Sequence, residues 1–364
     1  MADPSSRLLI TIDGLRAAAI GVGGATAYDT PELDRFATQS IAFQHCQAET
    51  PFAAEVCDRI LPRIPGEALL LTDDPGWIDA ASTAGLDTAL LTAEHATAIA
   101  DHPAETEIGR TLSLAADAFT QIADGALPPL VWLHVRGLNG AWDAPPETYA
   151  SLIDEEDPEV EASHRPPDAT HDDLQSAEAC EARFGAACRY AGQVRVLDAC
   201  LGGLLDEVAA VTDGAAMPVA VAGLRGFPLG EHGQIGGVDP RLYTEQQHVP
   251  LLIHDPSRVA FASNHSPIGL SDAIGSWLDG SKIRPADPCI LQRSPDVGSA
   301  IQTPDWRLRA PQHAAPELYV KPDDRWDHND VAKLCEDTVL SLLSRLQAEP
   351  PADQNDVGRG GASS

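Results

Sequence analysis

The stretch Gly223-Leu224-Arg225-Gly226-Phe227-Pro228-Leu229-Gly230-Glu231-His232-Gly233 decides how this chain is read. Residues 218–222, just before it, form a short apolar run of strand length. Four glycines among the eleven residues allow tight turns, and a guanidinium, a carboxylate and an imidazole stand between them. Open α/β sheets bind ligands outside the carboxyl ends of their strands, so a strand running into such a segment marks a candidate site.

Outward from this segment the same alternation recurs. Apolar runs at 8–12, 68–71, 88–91, 130–135 and 249–253 read as further strands, with amphipathic stretches between them. Helices are predicted over 31–42, where Thr30 and Pro31 supply a cap and a first-turn proline, and over 111–122. The strongest helix is 187–208, where Tyr190, Val194, Leu197, Leu201, Leu204, Leu205 and Val208 form an apolar stripe that should cover one face of the sheet. Gly202 and Gly203 within it suggest close packing against that sheet. Residues 154–173 are acidic and proline-rich and read as an exposed loop. Beyond them come a short helix at 270–278, antiparallel strands at 289–292 and 299–309, a strand at 317–320 and a helix at 330–346. The expected fold is a three-layer α/β/α sandwich around a central, mostly parallel mixed sheet, plus a small C-terminal α+β subdomain with an antiparallel sheet. The expected units are 8–280, 281–348 and a disordered tail at 349–364.

Composition narrows the partners. Asp plus Glu total 55 against 24 Lys plus Arg, a formal charge of −31, which argues against nucleic acid and against an anionic membrane surface. No run approaches the roughly 18 apolar residues of a membrane span. The first apolar run is too short for a signal-peptide core with its cleavage site. Seven cysteines without a C-x-x-C pair fit a reduced, cytoplasmic protein. The chain has no G-x-S-x-G elbow and no phosphate-loop lysine, against a serine esterase and against nucleotide binding.

Blocks along the chain fall in an order that resembles the sulfatases of the alkaline phosphatase-like superfamily. They are Ile12-Asp13-Gly14, then Thr30-Pro31-Glu32-Leu33-Asp34-Arg35-Phe36-Ala37, then Trp132-Leu133-His134, and Val196-Leu197-Asp198 on the helix with Tyr190. Leu229-Gly230-Glu231-His232-Gly233 follows, then Leu242-Tyr243-Thr244-Glu245, Val249-Pro250-Leu251-Leu252 and Thr303-Pro304-Asp305-Trp306. Together they span nearly residues 8 to 346. The resemblance implies a divalent metal, calcium in sulfatases, held by Asp and Asn or His at the strand ends. It also implies a cysteine or serine within Cys-x-Pro-Ser-Arg that becomes formylglycine and attacks the sulfate ester.

This sequence departs from that pattern. Asp13 matches the first family carboxylate and reads as a remnant metal-site residue or as a helix cap. Leu224 and Arg225 stand where the family has a metal-binding Asp and His, and a hard cation that loses two ligands loses its geometry. No cofactor is therefore expected, with calcium only if the site proves intact. A carboxylate left without its metal needs compensation, so a pairing of Asp13 with Arg225 follows from charge. Cys57 is followed by Arg59 and Leu61 where the motif needs Pro and Arg, and is expected to remain a cysteine. The family lysine after Gly-Glu-His-Gly is missing from 234–241, leaving Arg241 as a substitute anion contact.

The resulting expectation is a sulfatase-like protein that lacks ordinary formylglycine- and calcium-dependent activity. As a pseudoenzyme it would bind a small anionic, sulfated or glycan ligand through Arg225, His232 and Arg241. One alternative is an active sulfuric or phosphoric ester hydrolase with a rebuilt cleft drawn from Asp13, Glu55, Cys57, His134 and Arg225. Another is a scaffold whose acidic surface or 154–173 loop meets a protein partner.

Overall fold

The computed structural model describes residues 6–212, 217–256, 262–283, 288–295 and 297–348, and the tail expected at 349–364 lies outside them. Its central sheet has eight strands. In chain order these are β1 (Arg7–Gly14), β2 (Ile41–Phe43), β3 (Ala68–Thr72), β4 (Asp87–Leu90), β5 (Leu130–Val135), β6 (Val219–Gly226), β7 (Leu251–His254) and β8 (Ala262–Asn264). Across the sheet they lie in the order β8-β2-β7-β6-β1-β5-β3-β4. β1 is parallel to β5 and β6, β3 is parallel to β5 and β4, and β7 runs antiparallel to both β6 and β2. This is the mostly parallel mixed sheet expected.

Both faces of the sheet are covered, which is why the central strands are apolar without a polar alternation. The helices are α1 (Pro31–Ala37), α2 (Ala53–Ile60), α3 (Ile78–Thr83), α4 (Glu107–Ala123), α5 (Ala177–Val211), α6 (Leu270–Leu278) and α7 (Glu336–Ala348). Leu8, Ile10 and Ile12 of β1 pack into one core with α1, α4 and the Tyr190-to-Val208 stripe of α5. Leu9 faces the other core, with Trp132, Ala220 and Leu224, beneath α2, α3 and α6. Four further strands, β9 (Ile290–Ser294), β10 (Gly298–Gln302), β11 (Trp306–Pro311) and β12 (Glu317–Val320), make a separate antiparallel sheet. α7 packs on it through Val339 and Leu342, around Ile301, Leu308 and Leu318. No described helix is long and apolar enough to cross a membrane.

Several boundaries move. The helix read over 31–42 stops at Ala37, because Ile41 and Ala42 pair with Ile253 and Leu252 of β7. The long helix starts ten residues before the predicted start at 187, capped by Ser176, whose hydroxyl accepts from the Ala179 N–H at 3.2 Å. Its first turns are alanine and charge, good helix formers that carry no stripe. The last helix begins at Glu336 rather than 330, and Leu334 is 84% exposed. Gly202 is needed for packing, but against Glu32 of α1 and not the sheet, since a Cβ there would lie 2.5 Å from the Glu32 Cγ. Gly203 faces open space.

Candidate functional site

The decisive correction is at β6. The apolar run read as 218–222 continues as strand through Gly226, so Leu224 and Arg225 belong to the sheet. β6 carries one extra residue against β1: Ile12 pairs with Gly223, and the next β1 residue, Asp13, pairs with Arg225. This bulge takes Leu224 out of the ladder and re-aims the residue after it. Leu224 is buried in the core with Ala220 and Ala222, while Arg225 comes alongside Asp13.

Asp13 and Arg225 form the ion pair that charge compensation predicts. Arg225 Nε donates to Asp13 Oδ1 at 2.9 Å and Nη2 to Oδ2 at 3.4 Å, while Nη1 donates to the Gly237 carbonyl at 2.7 Å. Both side chains are nearly buried, 8% and 13% exposed, so the pair forms in a medium of low dielectric. Burial pushes the Asp13 carboxyl up, and Arg225 pulls it back without fully cancelling that effect. A second such pair lies at the next strand ends. The backbone N–H of Arg136, just past β5, donates to Asp73 Oδ1 at 2.8 Å, and its Nη2 donates to Glu107 Oε1 at 2.9 Å. Sequence reading passed over Asp73, although an Asp-Asp step after a strand was a usable signal.

The other cleft candidates do not join Asp13. His134 points into the core, 1% exposed, with its Nδ1 3.2 Å from Thr11 Oγ1. Trp77 lies flat on its ring, centroids 3.6 Å apart and planes within 3°. Burial lowers its pKa to about 3, so it is a neutral core histidine and not a group facing a cleft. Cys57 sits on the buried face of α2 with Val56 and Ile60, where burial pushes the thiol up, away from the reactive thiolate. Glu55, on the same helix, accepts from Thr50 Oγ1 at 2.6 Å and lines a groove toward the small sheet. Among the described residues, no hydrogen bond or ion pair links Glu55, Cys57 or His134 to Asp13 or Arg225.

The second half of the opening stretch is equally self-contained. Glu231 pairs with Arg16 and accepts from the Leu229 N–H at 3.0 Å. Burial raises the Glu231 carboxyl, but the Arg16 charge and the hydrogen bonds from Arg16 and the backbone together outweigh it, and the net direction is down. His232 Nδ1 lies 2.9 Å from Glu245 Oε1 and Nε2 lies 3.1 Å from the Asp327 carbonyl. Burial opposes the charged imidazole, but the Glu245 and Asp327 contacts together outweigh it and raise the His232 pKa. Arg241 is held by both oxygens of Asp239, at 2.8 and 2.7 Å, and donates to the His232 carbonyl. Thus Arg225, His232 and Arg241 each spend their charge on an internal partner.

These donors do not fit the calcium that the fold resemblance implies. A hard cation takes about six to eight oxygens, and here Asp13 faces a guanidinium, Leu224 offers none, and Asp73 faces Arg136. Among the described residues no three His, Cys, Asp or Glu side chains converge to hold a metal.

No protein-family model and no curated protein matches the chain. Solved structures do. A phosphonate monoester hydrolase of Agrobacterium radiobacter superposes with a TM-score of 0.70 at 15% identity, over 94% of this chain and 95% of that one. A candidate sulfatase from Bacteroides thetaiotaomicron gives 0.66 at 12% identity, over 95% and 92%. A 2-O GAG sulfatase gives 0.61 at 13% identity, over 94% and 90%. With the mixed eight-stranded sheet, the two helical layers and the separate four-stranded sheet, these likenesses establish that the chain has the sulfatase/alkaline phosphatase-like fold.

Proposed function

We propose that this chain is a non-hydrolytic protein of that fold, in which a buried Asp13–Arg225 ion pair stands in for a divalent metal. The observation that carries the reading is Arg225 Nε at 2.9 Å from Asp13 Oδ1, across a bulge that buries Leu224. A guanidinium has no lone pair to offer a metal, and its charge gives the carboxylate the compensation a cation would give. Proton transfer has little support either. His134 is uncharged and closed off by Trp77, and the Cys57 thiol is buried.

The solved relatives include a phosphonate monoester hydrolase and a GAG sulfatase, so their ester classes are the ones to test. Purified protein incubated with aryl sulfate and aryl phosphonate monoesters, with and without calcium or manganese, is expected to give no turnover above a heat-denatured control. The peptide containing Cys57 is expected to have the mass of an unmodified cysteine. Turnover that disappears in Asp13→Asn would overturn the reading in favour of a rebuilt hydrolase.

A further inference from the structure

A second surface has the opposite electrostatic balance. An open groove of about 560 Å³ runs between the β1–α1 connection, the start of α5 and residues 325–328. Arg16, Arg183 and Arg325 line it against one carboxylate, Glu231, in a chain whose formal charge is −31. Arg16 is taken by Glu231, although its Nε is buried with no hydrogen-bond partner. That leaves two guanidiniums. Arg325 is half-buried and donates to the Gly23 carbonyl at 2.7 Å, and Arg183 reaches the Cys180 sulfur at 3.5 Å. Among the described residues, neither has a carboxylate within ion-pair distance.

The cost of this arrangement is visible. The guanidiniums of Arg16 and Arg325 lie 4.6 and 5.1 Å from the same Trp326 ring, so two like charges share one indole. Burial, and then the Arg16 charge, lowers the pKa of Arg325. The segment is nevertheless held in place. Asp327, next to Trp326, is fully buried between Lys321 at 2.7 Å and Arg307 at 3.2 Å, and accepts from the Thr244 N–H and hydroxyl, both at 2.8 Å. Cations without a carboxylate, one of them beside an anchored segment, are what a preorganised anion site requires.

We propose that this groove binds an oxyanion carried on a sugar-sized molecule, with Arg325 and Arg183 clamping the anionic group and the Tyr28 hydroxyl, in the same wall, donating to it. The volume is in the range of small-molecule sites, and sulfate, phosphate and carboxylate share the chemistry that paired guanidiniums recognise. The inference does not rest on the Asp13–Arg225 reading, since that pair is no part of the groove.

The test is calorimetric titration of the full chain, in buffer free of competing oxyanions, with glucose 6-sulfate, glucose 6-phosphate, glucuronate and neutral glucose. At least one of the three anions is expected to bind saturably, with affinity falling as sodium chloride rises, while glucose does not bind. The tightest of the three identifies the anionic group. Arg325→Ala and Arg183→Ala are each expected to weaken that binding by about tenfold or more, and Arg325→Lys by less. If Arg325→Ala proves misfolded by circular dichroism, Arg183→Ala decides. Failure of all three anions to bind, equal binding of glucose, or affinity unchanged in the folded variants overturns the proposal, and none of these results bears on ester turnover.

Discussion

Arg225 and Arg325 are both guanidiniums drawn partly out of water, but only the first meets a carboxylate. Arg225 has Asp13 at 2.9 Å and a carbonyl at 2.7 Å, and the bulge in β6 sets Arg225 opposite Asp13. Arg325 has one carbonyl and, at the same indole, the positive Arg16. The difference teaches how to separate charge that serves the fold from charge that is free to serve a ligand. A buried cation whose partners are all internal is architecture, and one left short of partners in an open groove is capacity for binding.

The sharpest way to break this comparison is to remove each arginine and measure unfolding. Arg225→Met leaves a buried carboxylate without its partner, and is expected to cost about 3–5 kcal/mol in urea denaturation at pH 7. The loss should shrink as pH falls, because Asp13, already raised by burial, can then be buried as the neutral acid. The double variant Asp13→Leu/Arg225→Met should recover most of the loss, since an apolar pair of similar volume replaces an ionic one. An Arg225→Met protein as stable as the parent would show that the pair is not structural.

Acid sharpens the contrast between buried and available groups. His134 titrates at about 3 in the folded chain against an ordinary 6.5, so the unfolded state takes up its proton first. Its contribution to stability is full above pH 6.5 and is lost as pH falls toward 3, amounting to about 2 kcal/mol by pH 5. His134→Asn should flatten the pH dependence of unfolding between 7 and 5, and an unaltered slope would place the imidazole in contact with water. The smallest effect belongs to the groove: Arg183→Ala and Arg325→Ala should each change unfolding free energy by less than about 1 kcal/mol. A loss as large as that of Arg225→Met would make the groove arginines structural too.

How much of this was legible in the sequence follows from the range of the interactions. Strands and helices answer to local periodicity, so 130–135 and 270–278 coincide with the observed β5 and α6. The Asp13–Arg225 pair was legible from charge, because a carboxylate that loses a metal needs a cation beside it. The bulge depends on a register set across the sheet, which local periodicity does not carry, so the strand was read as ending at 222, short of Arg225. His134 was read as facing a cleft because its cover, Trp77, lies 57 positions earlier in the chain and carries no pattern that points to it. Arg241 was read as an anion contact because the bidentate hold of Asp239, two residues away, is a matter of turn geometry and not of composition. The groove was invisible for the same reason, since its walls come from residues 16–28, 180–187, 229–231 and 325–328.

The measurement that bears most directly on the central claim is calcium binding by the intact protein, followed by calorimetry and by metal analysis after gel filtration. If Arg225 has taken the cation's role beside Asp13, the parent should carry less than stoichiometric calcium, and neither added calcium nor a chelator should shift its unfolding temperature. One tightly bound calcium per chain, lost in Asp13→Asn and stabilising the parent against heat, would contradict the account.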